Sequence, residues 1–128
     1  MANNNHLIDK YIDALLVEAA LRKNELNSET ITTVYLGGGT PSLLSITQLS
    51  KLVNGLKKVF DFSDVEEFTI EVNPDDVTPE CIQQSKSLGI NRVSMGVQSF
   101  SDEDLRFINR RHTAKQATDA IHIIKEAG

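Results

Sequence analysis

Cysteine is almost absent from this 128-residue sequence, in which Cys81 is the single example. One thiol cannot form an internal disulfide, and no grouping of His, Cys and Asp residues has the spacing of a metal site. We therefore predict neither a disulfide nor a metal site. Cys81 lies near the start of a predicted helix, where we interpret it as a small buried hydrophobic residue.

Long hydrophobic runs and basic blocks are also missing. No apolar stretch approaches the ~18 residues of a membrane span, and the amino-terminal MANNNH has no signal-peptide core. We expect no membrane span and a cytoplasmic location. The sequence has 18 Asp and Glu residues and 13 Lys and Arg residues, which gives a net charge of −5. We therefore expect no nucleic-acid partner.

Proline is sparse too, with three residues, while 40% of the residues are hydrophobic and 24% are charged. This composition is typical of a globular chain rather than a disordered one. A chain of this length buries roughly two thirds of its unfolded surface, so it can form its own core. We predict a single domain over residues 1–128.

Helical and strand patterns alternate along the chain. Apolar spacing predicts a helix over 7–26, with the preceding asparagines as caps, and another after the capping box of Ser45 and Gln48. A third helix starts at Thr78 and Pro79 and ends at Gly89, and a fourth follows Thr113. Strands are predicted over 31–36, 67–72 and 90–97, with a short acidic helical turn after Ser101.

The resulting order, αβαβαβα, predicts three parallel strands joined by right-handed crossovers. Such strands belong to a doubly wound sheet or to part of a (β/α) barrel. Three strands are too few to close a barrel, so we interpret the chain as a fragment of a longer protein. Its exposed sheet edges favour a homodimer.

The run LGGGTPS at residues 36–42 directly follows the first predicted strand. Glycine allows positive φ and lets a ligand approach the main chain closely. Pro41 fixes its own φ and keeps Thr40 extended, which stiffens the loop. The loop either merely connects a strand to a helix or holds a small polar ligand, and the glycine run favours the second alternative.

Polar residues also follow the other two predicted strands. Glu71 ends the second strand and Gln98 follows the third, and the carboxyl ends of parallel strands share one face. Alternation places small and polar residues on one side of these strands. The alternatives are that Glu71 only pairs with a Lys or Arg, and that Gln98 only ties down a loop.

Arg110, Arg111 and His112 form the one basic cluster of the sequence. They follow the third strand, so they lie near the same predicted face. The cluster is either a solvated turn or an anion site. We expect His6 and His122 to lie on the surface.

The glycine loop is neither a Walker A motif nor a dinucleotide fingerprint. Four motifs instead resemble, in order and spacing, the oxygen-independent coproporphyrinogen III oxidase family of radical SAM proteins. They are YLGGGTPS at 35–42, IEVNP at 70–74, NRVSMGVQSF at 91–100 and NRRH at 109–112. The QSF ending and the final histidine look more like the haem chaperone branch of that family.

This resemblance implies a fragment of a partial TIM-type (β/α) barrel. It implies S-adenosylmethionine and a [4Fe-4S] cluster as cofactors, with a 5′-deoxyadenosyl radical as the oxidant of the substrate. Main-chain groups of the glycine loop would meet the methionine end of S-adenosylmethionine, and three side chains would hold its polar groups. The implied cofactor-binding residues are Gly38, Gly39, Thr40, Glu71, Gln98 and Arg110, and no catalytic residue is implied.

The chain departs from the family in one respect. The Cys-x-x-x-Cys-x-x-Cys motif that binds the cluster is absent, and Cys81 cannot replace three thiolates. We expect the cluster motif and later strands to belong to missing parts of a longer protein. We also expect the 128-residue chain alone to hold no cluster and to be inactive.

The leading hypothesis is an S-adenosylmethionine-binding core of an oxidoreductase of porphyrin and haem biosynthesis, with a porphyrin as partner. One alternative is a haem chaperone or haem-binding module of the same family. Another is a (β/α)-barrel aldolase or isomerase whose glycine loop binds phosphate.

Overall fold

The computed structural model describes the backbone of residues 2–128 and the side chains of residues 5–128. In chain order its elements are α1 (Ala2–Arg22), β1 (Thr33–Leu36), α2 (Ile46–Val59), β2 (Glu67–Val72), α3 (Pro79–Ser87), β3 (Arg92–Met95), α4 (Asp102–Phe107) and α5 (Ala114–Ala127). Short 3₁₀ turns join them at Lys23–Leu26, Pro41–Leu43 and Pro74–Asp76. Within residues 2–128, no helix has both the length and the apolar character that crossing a membrane requires.

The chain divides into two compact units. The first contains the residues up to Val34 together with Leu44–Glu67, and the second contains Tyr35–Leu43 and Phe68–Gly128. The sheet order is β1-β2-β3, and β2 pairs with β3 in parallel, with Glu71 opposite Ser94. β1 and β3 are thus the outer strands of this sheet. The homodimer expected from such edges stays a prediction, as does the single domain over residues 1–128.

The first unit is built from α1 packed on α2. Ile12 of α1 and Val53 of α2 are both buried in its core. Gly55 permits the close approach of the two helices, because a Cβ at that position would lie 2.5 Å from a methyl carbon of Leu16. The predicted capping box at the start of α2 is confirmed, since Ser45 and Gln48 cap each other's backbone amides.

The second unit packs α3 and α5 together and carries most of the sheet. Phe68 and Ile70 of β2 are buried, and so is Leu105 of α4. The predicted caps of its helices are confirmed: Thr78 and Ser101 each accept a backbone N–H, and Thr113 forms a capping box with Gln116.

Sequence patterns predicted the position of each α-helix and strand of residues 2–128, and the differences concern mainly their ends. β2 has the predicted bounds, whereas β1 begins two residues later than predicted and β3 is shorter than predicted at both ends. α1 begins at Ala2 rather than at residue 7, so the asparagines lie inside the helix and the prediction that they cap it is wrong. The short acidic turn after Ser101 is a complete helical segment, α4.

Candidate functional site

A cavity of about 250 Å³ lies in the second unit at the carboxyl ends of β2 and β3. The sheet register explains its position. Because Val72 pairs with Met95 and Gly96 donates its N–H to the carbonyl of Val72, both strands end at the same level. The glycine loop contributes the remaining wall. Polar or flexible residues dominate the lining: Gly39, Thr40, Glu71, Asn73, Ser94 and Gln98.

The glycines of the loop serve two different purposes. Gly38 and Gly39 have φ values of +79° and +57°, in the left-handed region, and a Cβ built on either would meet no atom within 4 Å. These two residues provide the backbone conformation and leave open space beside the main chain. Gly37 provides room, because a Cβ there would lie 2.5 Å from the ring of Tyr35 and 3.1 Å from Cδ of Glu71.

Glu71 is held by hydrogen bonds to both carboxylate oxygens. The hydroxyl of Tyr35 donates to Oε1 at 2.7 Å, and the backbone N–H of Gly38 donates to Oε2 at 3.0 Å. The bond from Tyr35, followed by that from Gly38, holds the pKa of Glu71 below its ordinary value. None of the ion pairs found among the described residues involves Glu71, so a neutral donor and a main-chain amide take the place of the Lys or Arg partner considered above.

The three residues of the basic cluster have three different environments. Arg111 is exposed and pairs with Asp75 at 3.0 Å. His112 is buried, and its Nε2 lies 2.9 Å from the carbonyl oxygen of Val97. The side chain of Arg110 contacts two residues that line the cavity. The three residues therefore do not form one solvated turn, and Arg110 stays the candidate for an anion site.

Arg110 is half-buried beside the cavity. One terminal nitrogen donates to the carbonyl of Gly96 at 2.8 Å and to Oδ1 of Asn73 at 3.2 Å, and both of these residues line the cavity. Its Nε is buried without a hydrogen-bond partner, and no carboxylate pairs with it in the part of the chain that the structure describes. An uncompensated guanidinium at a cavity wall is suited to a ligand carboxylate.

The glycine loop is fastened to the end of β2 by its last residue. Ser42 donates its hydroxyl hydrogen to Oδ2 of Asp76 at 2.7 Å and accepts the backbone N–H of Asn73 at 3.2 Å. These contacts fix the loop against the turn that follows β2. The sequence pattern predicts only that Pro74 ends the strand, so the anchoring of the loop by this turn was not predicted.

The structure therefore brings together the residues implied by the resemblance. Gly39, Thr40, Glu71 and Gln98 line one cavity, Gly38 contacts Glu71, and Arg110 contacts two lining residues. Sequence reasoning missed Tyr35, Asn73 and the buried position of His112. Tyr35 and Asn73 belong to the quoted motifs, but only the register of the strands shows that they reach the site.

None of these site residues lines the larger cavity in the described part of the chain. This cavity of about 620 Å³ in the first unit is lined by residues of the 23–31 and 59–64 segments. Cys81 on α3 is half-buried, and its pKa is raised first by burial and then by the nearby Asp76 carboxylate. His6 and His122 are exposed, as predicted.

Sequence comparison relates the chain to known proteins. The profile of the Radical SAM superfamily matches residues 4–128. The heme chaperone HemW of Lactococcus lactis is 40% identical over 121 residues, which are 94% of this chain and 31% of that protein. The oxygen-independent coproporphyrinogen III oxidase of Escherichia coli is 31% identical over 128 residues, which are 100% of this chain and 28% of that protein. The chain thus spans less than a third of the length of these relatives.

Structural comparison gives the architecture. The solved structure of coproporphyrinogen III oxidase (HemN) from Escherichia coli, described as a radical SAM enzyme, superposes with a TM-score of 0.87 at 32% identity. The match covers 98% of this chain and 29% of that one. An Elp3 from Methanocaldococcus infernus, at a TM-score of 0.61 and 22% identity, shares the fold alone. The predicted α/β fragment of a TIM-type barrel with three parallel strands is confirmed, in preference to a doubly wound sheet.

Proposed function

We propose that this chain, which belongs to the radical SAM superfamily, binds S-adenosylmethionine in the cavity at the ends of β2 and β3. The observation that carries the proposal is the convergence on one cavity of a positive-φ glycine loop, a carboxylate, a carboxamide and an uncompensated guanidinium. S-adenosylmethionine combines a zwitterionic amino acid with ribose hydroxyls, and this set of groups offers a partner to each of them.

The proposed roles follow from the chemistry of each group. Gly38, Gly39 and Thr40 would present main-chain groups to the methionine end, where the absence of a Cβ leaves the backbone accessible. Arg110, whose guanidinium lies against the lining residues Gly96 and Asn73, would bind the ligand carboxylate. Glu71 and Gln98 would bind hydroxyl groups of the ribose, since a carboxylate accepts hydrogen bonds and a carboxamide both accepts and donates them.

The ionisation of Glu71 suits this role. Tyr35 and Gly38 lower its pKa, so the carboxylate is charged at neutral pH and keeps acceptor capacity beyond the two bonds it already makes. In the superfamily, bound S-adenosylmethionine supplies a 5′-deoxyadenosyl radical. The residues of this chain would bind and orient S-adenosylmethionine.

The residues of this chain do not fit an iron–sulfur cluster. A [4Fe-4S] cluster is held by cysteine thiolates, and this chain has Cys81 alone, which does not line the cavity and has a raised pKa. We therefore propose that the 128-residue chain provides ligand binding without the cluster chemistry.

For the whole protein, we propose a role in porphyrin or haem metabolism. The relatives with the names heme chaperone HemW and oxygen-independent coproporphyrinogen III oxidase both support this role, and the identities of 40% and 31% favour the chaperone. A haem or porphyrin would be the partner. Membership of the superfamily favours these functions over a phosphate-binding aldolase or isomerase.

Isothermal titration tests the proposed binding. We expect heat from S-adenosylmethionine and none from a sugar phosphate. Glu71→Gln removes the charge at nearly constant shape and should weaken binding by about tenfold, the usual scale for a hydrogen bond to a charged group. Glu80→Gln is the matched control, since Glu80 is exposed on α3 and outside the cavity. Equal affinities of the wild type and Glu71→Gln would contradict the assigned site.

A further inference from the structure

The segment that carries Gln98 forms an unusual turn. Gln98 has a φ of +65°, and across it the N–H of Ser99 donates to the carbonyl of Val97 at 2.8 Å. A three-residue turn with positive φ at its centre is the rare and strained form of the γ-turn. For a residue other than glycine, such a conformation persists only where its surroundings impose it.

His112 provides one of these restraints. It is 2% exposed, and its Nε2 lies 2.9 Å from the carbonyl oxygen of Val97, the same oxygen that accepts the Ser99 N–H. Because a carbonyl oxygen can only accept, Nε2 carries the hydrogen of this bond. The other ring nitrogen, Nδ1, is buried without a partner.

Arg110 holds the adjacent peptide. Its guanidinium donates to the carbonyl of Gly96 at 2.8 Å, so two side chains of the 110–112 segment bind consecutive carbonyls at the start of the turn. Arg110 already has a proposed ligand. His112 lies outside the cavity lining, and its polar contact is with the turn.

Filling the core does not by itself explain a histidine at position 112. A buried imidazole with one unpartnered nitrogen is less favourable than an apolar side chain of similar size. The contact with Val97 is the feature that an apolar residue could not provide. Val97 in turn directly precedes Gln98, whose side chain lines the cavity.

We propose that His112 is a positioning residue for the ligand site, which holds the strained turn and thereby aims the carboxamide of Gln98 into the cavity. This inference rests on the proposed function, in which Gln98 contacts S-adenosylmethionine. His112 itself touches neither the ligand nor the cavity.

A pair of amide variants tests the role. The terminal nitrogen of a glutamine reaches the position of Nε2, whereas that of an asparagine is one methylene short. His112→Gln should therefore keep the affinity for S-adenosylmethionine within about twofold, and His112→Asn should weaken it by about tenfold, the scale of one net hydrogen bond. Loss of affinity in His112→Gln equal to that in His112→Asn would overturn the proposal, and so would full affinity in His112→Asn.

A double-mutant cycle separates positioning from general destabilisation. If His112 acts through Gln98, His112→Asn should cost no further affinity once Gln98→Ala is present. The same loss in both backgrounds would show that His112 does not act through Gln98 and would overturn the proposal.

A second measurement needs no ligand. The amide of Ser99 should exchange its hydrogen about tenfold faster in His112→Asn than in the wild type or His112→Gln, with the α5 amides unchanged. Unchanged exchange in His112→Asn would overturn the role of His112 even if S-adenosylmethionine binds. If the wild type binds no S-adenosylmethionine, the proposed function fails, and the exchange rates still decide whether His112 holds the turn.

Discussion

The hydroxyl of Tyr35 donates a 2.7 Å hydrogen bond to Oε1 of Glu71, across a sequence separation of 36 residues. The two residues belong to β1 and β2, so the bond joins neighbouring strands at their carboxyl ends. Gly37 makes it possible, because a larger residue there would overlap the ring of Tyr35. The aromatic residue ahead of the glycine loop therefore orients the carboxylate at the cavity.

Removing this hydroxyl should raise the pKa of Glu71. The folded pKa lies below the ordinary value of 4.5 chiefly because of the Tyr35 bond, so Tyr35→Phe should return it towards that value. Carboxyl titration by nuclear magnetic resonance measures the change. Tyr11→Phe is the matched control, since Tyr11 is 64% exposed on α1 and should leave the Glu71 titration unchanged.

The lowered pKa of Glu71 also determines how the stability of the fold changes with pH. A carboxylate with a lowered folded pKa contributes stability that is fully present above its unfolded value of 4.5 and is lost as pH falls through the folded value. Tyr35→Phe should therefore lose less stability on acidification than the wild type. Parallel curves for the free energy of unfolding below pH 4.5 would contradict the assigned cause.

Replacing Gly37 and Gly38 by alanine should affect the protein in two different ways. Gly38→Ala places a Cβ in open space at a φ of +79°, which should destabilise the fold by about 1–2 kcal/mol through backbone strain. Gly37→Ala should displace the ring of Tyr35 and raise the pKa of Glu71, as Tyr35→Phe does. Denaturant unfolding and the Glu71 titration distinguish the two. An unshifted titration in Gly37→Ala would show that the ring tolerates the added methyl group.

Arg110 should discriminate between ligands with and without a carboxylate. Arg110→Gln should weaken binding of S-adenosylmethionine by tenfold or more, on the scale of a charge-assisted hydrogen bond of about 1.5–3 kcal/mol. Decarboxylated S-adenosylmethionine should bind the wild type and Arg110→Gln alike. Equal losses for both ligands in a titration experiment would assign Arg110 to holding Gly96 and Asn73 rather than to the ligand.

The capping box of α2 should contribute measurably to stability. Ser45 accepts the backbone N–H of Gln48, and Ser45→Ala should lower the free energy of unfolding by about 1 kcal/mol. Thr47→Ala, on the exposed first turn of the same helix, should lower it less. Thermal or denaturant unfolding of both variants provides the comparison.

Reconstitution with iron and sulfide under anaerobic conditions should leave this chain without a stoichiometric [4Fe-4S] cluster. Its single thiol cannot replace the several thiolates that hold such a cluster. Absorbance in the sulfur-to-iron charge-transfer region and iron analysis measure the outcome, with Cys81→Ala as the control for adventitious iron. Iron and absorbance at cluster stoichiometry, lost in Cys81→Ala, would contradict this expectation.

The order of the elements was readable from the sequence for a physical reason. Helical periodicity, capping boxes and proline positions depend on residues within about four positions of each other, so each is a local property of the chain. Because a helix separates each strand from the next, the strands were then predicted to pair in parallel. This was enough to predict that Gly39, Glu71 and Gln98 meet at one edge of the sheet, as the cavity lining confirms.

The contacts within the site were decided by the tertiary structure. Tyr35 reaches Glu71, and His112 reaches Val97 across 15 residues, because strand register and the path of the 110–112 segment set these distances. The neighbours Arg110 and Arg111 look alike in sequence, yet one faces the cavity wall and the other pairs with Asp75. Which neighbour is buried depends on the direction of each side chain from a turn, and no local pattern of residues encodes that direction.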